Sequence, residues 1–191
     1  MIYLLSKRFF DIIFSILFLV LLGIPMLVIA LLIKLTSKGP VLYLSDRIGI
    51  KNTIFKMFKF RTMKVNTPAV ATHLLAKAQN YLTPIGSFLR KYSLDELPQL
   101  INILKGDMSF VGPRPALFNQ DDLVAMRTAK GIHRLIPGLT GWAQVNGRDD
   151  LPIPVKVEFD DHYRARRSFL FDIRILLVTV LRVLKKEGVQ H

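Results

Sequence analysis

The sequence predicts an α+β chain, mainly helical, in which an N-terminal membrane helix leads into a small β-hairpin and a compact core edged by amphipathic interfacial helices. Three observations predict it. Residues 9–33 form an apolar run with a single charge, Asp11. Residues 55–61, Phe-Lys-Met-Phe-Lys-Phe-Arg, alternate at period two, as a strand does. Leu97, Leu100, Ile101 and Leu104 recur at helical spacing and give one buried face.

Composition bounds what such a chain can be. Its 191 residues suit one domain with a small appendage, divided here into a membrane segment at 1–36 and a body at 37–191. The absence of cysteine excludes disulfides, thiolate metal sites and a thiol nucleophile. The net charge of +13, from 27 basic and 14 acidic residues, seeks polyanions: nucleic acid, anionic lipid headgroups or phosphorylated substrates. The basic residues are spread over several segments with no nucleic-acid-binding motif, and the membrane segment favours lipid and phosphorylated substrates.

Taking the elements in order, the run 9–33 is followed by no small-residue cleavage site before Lys34, so it does not read as a secretory signal. At ~1.5 Å per residue it could cross a hydrocarbon core of ~30 Å. Pro25, mid-run, breaks a hydrogen bond and kinks the helix. Both flanks are basic, Lys7 and Arg8 before and Lys34 and Lys38 after, whereas a spanning helix is usually positive on one side. Re-entrant and spanning arrangements both stay open on these grounds. Asp11 is expected near the interface or paired with a neighbour such as Arg8.

Val41–Leu44 and Phe55–Arg61 flank a turn at 49–52, which predicts a hairpin with an apolar face and a basic face carrying Lys56, Lys59 and Arg61. Residues 65–80 are weakly helical, and Pro84-Ile85-Gly86 opens another short helical piece. Ser93 and Glu96 have the spacing of a capping box, with Asp95 in the first helical turn, where unpaired N–H groups and the macrodipole favour an ionised carboxylate. Gly106 stands at the usual C-terminal position. Pro98 removes a donor inside the first turns, a local conflict of the kind functional sites carry. Pro113-Arg114-Pro115 then stiffens the backbone around one arginine, and a rigidly presented guanidinium suits bidentate phosphate binding.

Residues 120–134 read as an amphipathic helix, with His133 on its surface. Residues 137–148 are rich in glycine, which permits close approach to a ligand as well as ordinary turns. Trp142 reads as core or interface filler. Glu158, Asp160 and Asp161 could supply a second acid. Residues 168–184 are apolar but interrupted by Asp172, Arg174 and Arg182; the longest uncharged run, Ile175 to Leu181, is too short to span, and the segment reads as helix at the membrane surface or in the core.

Ser-Leu-Asp-Glu-Leu-Pro-Gln-Leu at 93–100, Lys-Gly-Asp-Met-Ser-Phe-Val-Gly-Pro-Arg-Pro at 105–115 and Pro-Gly-Leu-Thr-Gly-Trp-Ala-Gln-Val-Asn-Gly-Arg at 137–148 closely resemble the bacterial monotopic phosphoglycosyl transferases, short form. The resemblance runs from about Lys7 to about Gly188. It implies that 1–36 is a re-entrant membrane helix and that 37–191 is a membrane-associated catalytic domain on the cytoplasmic face of the bacterial inner membrane. It also implies that Asp95 attacks a sugar nucleotide, that Arg148 lies against the nucleotide diphosphate, that Arg90 is a site cation, and that Lys59, within Lys-Phe-Arg-Thr-Met, lies near it. Where the family has two tyrosines, this chain has His162 and Tyr163.

The expected activity is transfer of a sugar 1-phosphate from a UDP-sugar to undecaprenyl phosphate, with release of UMP through a covalent Asp95 intermediate, as the first membrane step of surface glycan assembly. A carboxylate attacking an anionic diphosphate needs its charge offset, so Mg²⁺ is expected, ligated by Asp95 and phosphate oxygens. Glu96 would orient the metal or Asp95, or handle protons, while Arg90, Arg114 and Arg148 hold phosphates. Anionic membrane lipids are the further expected partners. The sugar and the oligomeric state are left open, an N-acetylated amino sugar standing ahead of glucose or galactose. The alternative is a noncatalytic membrane-surface protein that binds anionic lipid or nucleic acid and has no need of Asp95.

Overall fold

The computed structural model describes residues 2–68, 78–147 and 151–185. Helix α1, Ile2–Thr36, is unbroken and carries Pro25 within it. Its apolar sequence would leave it featureless but for polar residues at every fourth position, Tyr3, Lys7, Asp11 and Ser15, which fall on one face. That face joins the body. Lys7 Nζ lies 2.6 Å from Asp172, and Tyr3 donates to the same carboxylate at 2.9 Å. Asp11 is buried and accepts from Ser109 Oγ and the Phe110 N–H, both at 3.1 Å. Arg8 donates to the carbonyls of Ile103 and Leu104 at 2.6 and 2.7 Å.

Asp11 is thus hydrogen-bonded by the body rather than by Arg8, whose charge still acts on it. Free backbone groups of the body take each side chain separately: Arg8 caps the last turn of a helix, where carbonyls lack intrahelical donors, and Asp11 meets the edge of a strand. Phe10 and Phe18 pack on Phe110, with ring centroids 6.2 and 6.0 Å apart. Further along, Ile29 and Ile33 are buried in a cluster with Phe60 and Leu89. Between the two attachments the helix is bare: Val20, Ile24 and Leu27 are 74%, 76% and 71% exposed.

Arg61 secures the exit of α1. Its guanidinium is buried and donates to the carbonyls of Pro40 and Ser37 at 2.6 and 3.0 Å. Strands β1 (Leu42–Ile48) and β2 (Ile54–Phe60) form the expected antiparallel hairpin, Tyr43 opposite Lys59 and Ser45 opposite Met57. The separation into an apolar and a basic face is not borne out. Odd positions share one face and even positions the other, so Lys59 lies with Met57 while Lys56 lies opposite. Lys56 pairs with Asp46 at 2.8 Å on the outside.

Helix α2 is Gly86–Lys91, and α3 is Gln99–Lys105, ending at Gly106 with φ 98° as the sequence predicts. The capping box does not form. Ser93 is left-handed (φ 54°), its side chain caps nothing, and its carbonyl accepts the Glu96 N–H at 3.2 Å. Pro98 is the reason: with no N–H to give, it sits at the N-cap of α3, and residues 94–96 become a separate 3₁₀ turn. Asn102, fully buried on α3, accepts from the Phe58 N–H at 2.9 Å and donates to the Lys56 carbonyl at 2.8 Å, which pins β2 to this helix.

A second, parallel pair consists of β3 (Ser109–Val111) and β4 (Gly138–Thr140). The glycines of 137–141 serve this pairing. A Cβ on Gly138 would meet the Gly112 nitrogen at 2.1 Å, and one on Gly141 the Gly112 carbonyl oxygen at 2.1 Å. Either substitution is expected to prevent the β3–β4 contact, to be read as loss of folded protein in a thermal melt. The helix expected at 120–134 is interrupted: α4 is Asp121–Ala129, and Gly131 turns left-handed (φ 73°) before a short 3₁₀ turn at Ile132–Arg134. Helices α5 (Ile153–Arg166) and α6 (Phe169–Lys185) close the fold. Along α6, Ile175 and Asp172 are buried, as the core reading of 168–184 expects, while Leu170, Leu177 and Leu181 face outward. Of the weakly helical 65–80, residues 69–77 lie outside the described residues; a 3₁₀ turn occupies Ala78–Tyr81.

Candidate active site

Four elements deliver charged side chains to one place. Strand β2 supplies Lys59, α2 supplies Arg90, the 3₁₀ turn supplies Asp95 and Glu96, and the Pro-Arg-Pro segment after β3 supplies Arg114. Glu96 is the junction: its Oε1 accepts from Lys59 Nζ at 2.7 Å and from Arg114 Nη2 at 3.2 Å. Lys59 Nζ also lies 3.9 Å from Asp95 Oδ2. Arg90 is half-buried, donates through Nε to Thr62 Oγ1 at 3.0 Å, and interacts electrostatically with Asp95. Three cations thus surround two carboxylates, leaving an excess of positive charge for an anionic ligand.

The two carboxylates, adjacent in sequence, are driven in opposite directions. Burial pushes the Asp95 carboxyl above the usual range; Lys59 pulls it down, Glu96 pushes it up again, and Arg90 and Arg114 offset this only in part. Burial also works against the Glu96 charge, but Lys59 and Arg114 outweigh it through charge and hydrogen bonds, and hold that carboxyl well below the usual range. The expectation that a helix macrodipole keeps Asp95 ionised is corrected accordingly, because a three-residue 3₁₀ turn has little dipole and the cations favour the charge without outweighing burial.

Glu96 holds Lys59 and Arg114 by direct contact. Among the described residues no group of three or more His, Asp or Glu side chains is arranged to hold a metal ion. One protein carboxylate completed by substrate phosphates is, however, the way Mg²⁺ is commonly held, and Asp95 fits that pattern.

Of the remaining sequence candidates, Arg148 lies outside the described residues. Lys56 and Arg61 are engaged elsewhere, as described above. None of the three acids at 158–161 joins the site: Asp160 pairs with Arg127 at 2.6 Å, Asp161 with Arg164 at 2.7 Å, and Glu158 is exposed. Tyr163 donates to Asp172 at 2.7 Å and belongs to the anchorage of α1. Trp142 stacks on His162 at 5.9 Å beneath the Arg174 guanidinium, a half-buried packing role. His133 is half-buried rather than on the surface, and lines a cavity of about 30 Å³ behind Arg114. An apolar groove of about 570 Å³ between α1 and Phe169 contains none of the charged residues of the site.

Sequence reasoning missed Asn102, Arg127 and the buried state of Asp160. An Asn in the middle of an otherwise apolar helix face was a usable signal for the first. Nothing in the sequence pairs Arg127 with a residue 33 positions away.

The family model described as bacterial sugar transferase matches residues 2–186. The uncharacterized sugar transferase EpsL of Bacillus subtilis (strain 168) is 39% identical over 97% of this chain and 90% of its own length. The UDP-glucose:undecaprenyl-phosphate glucose-1-phosphate transferase of Escherichia coli (strain K12) is 40% identical over 93% of this chain, and the undecaprenyl-phosphate galactose phosphotransferase of Salmonella typhimurium is 39% identical over 95%. The chain spans only 40% and 41% of those two longer relatives.

Proposed function

Because the chain belongs to the bacterial sugar transferase family, we propose that it is a phosphoglycosyl transferase that moves a sugar 1-phosphate from a UDP-sugar to undecaprenyl phosphate and releases UMP. The observation that carries this reading is a buried aspartate, raised in basicity, inside an excess of fixed cations. Such a site suits a nucleophile that must work on a diphosphate. A noncatalytic lipid-binding surface would have no need of Asp95.

In the proposed chemistry an Asp95 carboxylate oxygen bonds to the phosphorus that carries the sugar. The bond from that phosphorus to the oxygen of UMP breaks, and UMP departs with the electron pair. An oxygen of the polyprenyl phosphate then attacks the same phosphorus, the bond to Asp95 breaks, and the carboxylate is restored. Lys59, Arg90 and Arg114 offset the phosphate charge, with Arg148 the further candidate. Mg²⁺, held by Asp95 and phosphate oxygens, would supply added charge neutralisation at the diphosphate. Separating the two half-reactions avoids gathering two anionic substrates in one site at once. The test is UMP release by purified protein given undecaprenyl phosphate, Mg²⁺ and a panel of UDP-sugars; no release with any of them refutes the activity.

The membrane arrangement belongs to the same proposal. Both ends of α1 pack on one water-exposed body while its middle is bare apolar surface, which favours a helix that dips into the cytoplasmic leaflet and returns. With no native cysteine to interfere, Ser6→Cys and Lys38→Cys should both react with an impermeant thiol reagent in inverted vesicles and neither in intact cells. Labelling from opposite sides would mean that α1 spans.

A further inference from the structure

The Pro113-Arg114-Pro115 segment can be gripped mainly through its carbonyls, since two of its three residues lack an N–H. Each carbonyl is taken by a different element. Pro113 O accepts from the Gly138 N–H of β4 at 2.9 Å. Pro115 O accepts from Arg47 Nη1 of β1 at 3.2 Å. Arg114 O accepts from Arg127 Nη1 of α4 at 2.8 Å. The last of these donors is itself held by a buried charge: Arg127 Nε and Nη2 both reach Asp160 Oδ2 of α5, at 3.0 and 2.6 Å, and Asp160 is 1% exposed.

We infer that Arg127 and Asp160 are a positioning pair for the transfer reaction, setting the backbone of Arg114 so that its guanidinium meets the diphosphate of the sugar nucleotide. The inference rests on the activity proposed above. The bland alternative is that the pair merely joins α4 to α5. Stability alone is a weak reason to bury such a pair, because apolar replacements of similar volume are often as stable. The guanidinium has a use that an apolar pair lacks: its fork spans Asp160 and the Arg114 carbonyl together. A lysine ammonium retains the charge but is a single point without the fixed fork.

The decisive measurement is a double-mutant cycle of Arg127→Lys with Arg114→Ala, read both as UMP release from UDP-sugar and as UDP binding to the detergent-solubilised full chain, with melting temperatures alongside. Arg127→Lys alone is expected to lower kcat/KM by about 10²-fold through displacement of Arg114, and to weaken UDP binding. In the Arg114→Ala background the same change should add little, because the group being positioned is already gone. Equal losses in both backgrounds would overturn the positioning role, as would near-normal kcat/KM in the folded single variant. If Arg127→Lys does not fold, Arg127→Met with Asp160→Leu removes the carbonyl contact without stranding a charge and enters the same cycle. A wild-type chain that releases no UMP would refute the activity, and the UDP-binding cycle would then decide the positioning role by the same criterion.

Discussion

Asp95→Asn is expected to abolish turnover while leaving the protein at least as stable as the wild type at neutral pH. The first half follows from chemistry: the amide keeps the size of the side chain but cannot attack phosphorus. The second half follows from the direction in which Asp95 titrates. Its carboxyl is raised in the folded protein, chiefly by burial, so the native state holds this proton more tightly than the unfolded chain does. Stability from this group is therefore present at low pH and is lost as pH rises through the folded value. At pH 7 the wild type carries a net penalty that the amide lacks. A thermal melt should show Asp95→Asn level with or above the wild type, whereas a clearly lower melting temperature would mean that Asp95 is a structural partner of Lys59 and Arg90. The wild type given UDP-sugar without lipid acceptor should release UMP up to about one equivalent per protein. The peptide containing Asp95 should gain the mass of a sugar phosphate. A strict need for both substrates together, with no adduct trapped, would exclude the covalent route.

Glu96→Gln is expected to behave in the opposite way on stability. Here the folded carboxyl lies below its ordinary value, because Lys59 and Arg114 more than offset its burial. Such a group contributes stability that is fully present above its unfolded value and is lost as pH falls through the folded one. The contribution is thus complete at neutral pH, and Gln removes it. Loss of charge from two short contacts, 2.7 Å to Lys59 and 3.2 Å to Arg114, should cost about 1–3 kcal/mol in chemical denaturation. Activity should fall about 10²-fold, since both cations lose the negative charge that fixes their spacing. Gln at full activity would show that Arg114 and Lys59 hold their places without Glu96. Taken together, neighbouring neutral replacements of equal size should differ in melting temperature, Glu96→Gln below the wild type and Asp95→Asn level with it or above, which no general surface-charge effect would produce.

What could be read in the sequence and what could not divides along the range of the interactions. The hairpin, the stop at Gly106 and the stiff Pro-Arg-Pro segment are local, set by alternation, by a left-handed glycine and by fixed φ angles. Lys59, Arg90, Asp95, Glu96 and Arg114 were all legible as charged residues in motifs, and the structure brings these five together. The capping box failed because its own local signal was overruled two residues later by Pro98. The two-faced hairpin failed because the cations at 56, 59 and 61 do not keep one parity, so counting charges in the strand was not enough. Asp11, Asp160 and Asp172 were misread or left open for a different reason. Each is satisfied by groups far away in the chain, and no window along the sequence contains both partners.

That last property bears on how the chain is made. The polar stripe of α1 leaves the ribosome before its partners: Asp11 finds its donors at residues 109 and 110, and Lys7 its partner at residue 172. At roughly 5–20 residues per second, the last of these partners emerges roughly 8–33 s after Lys7. Throughout that interval the Asp11 carboxylate has only Lys7 and Arg8 of its own helix to offset it, and each such charge opposes deep insertion by about 2.5–3.5 kcal/mol. The nascent helix should therefore linger in the headgroup layer and reach its final depth only when the body closes around it. Stalled chains ending before Ser109 should then be extracted from membranes by alkaline carbonate, and chains extended past Asp172 should resist it.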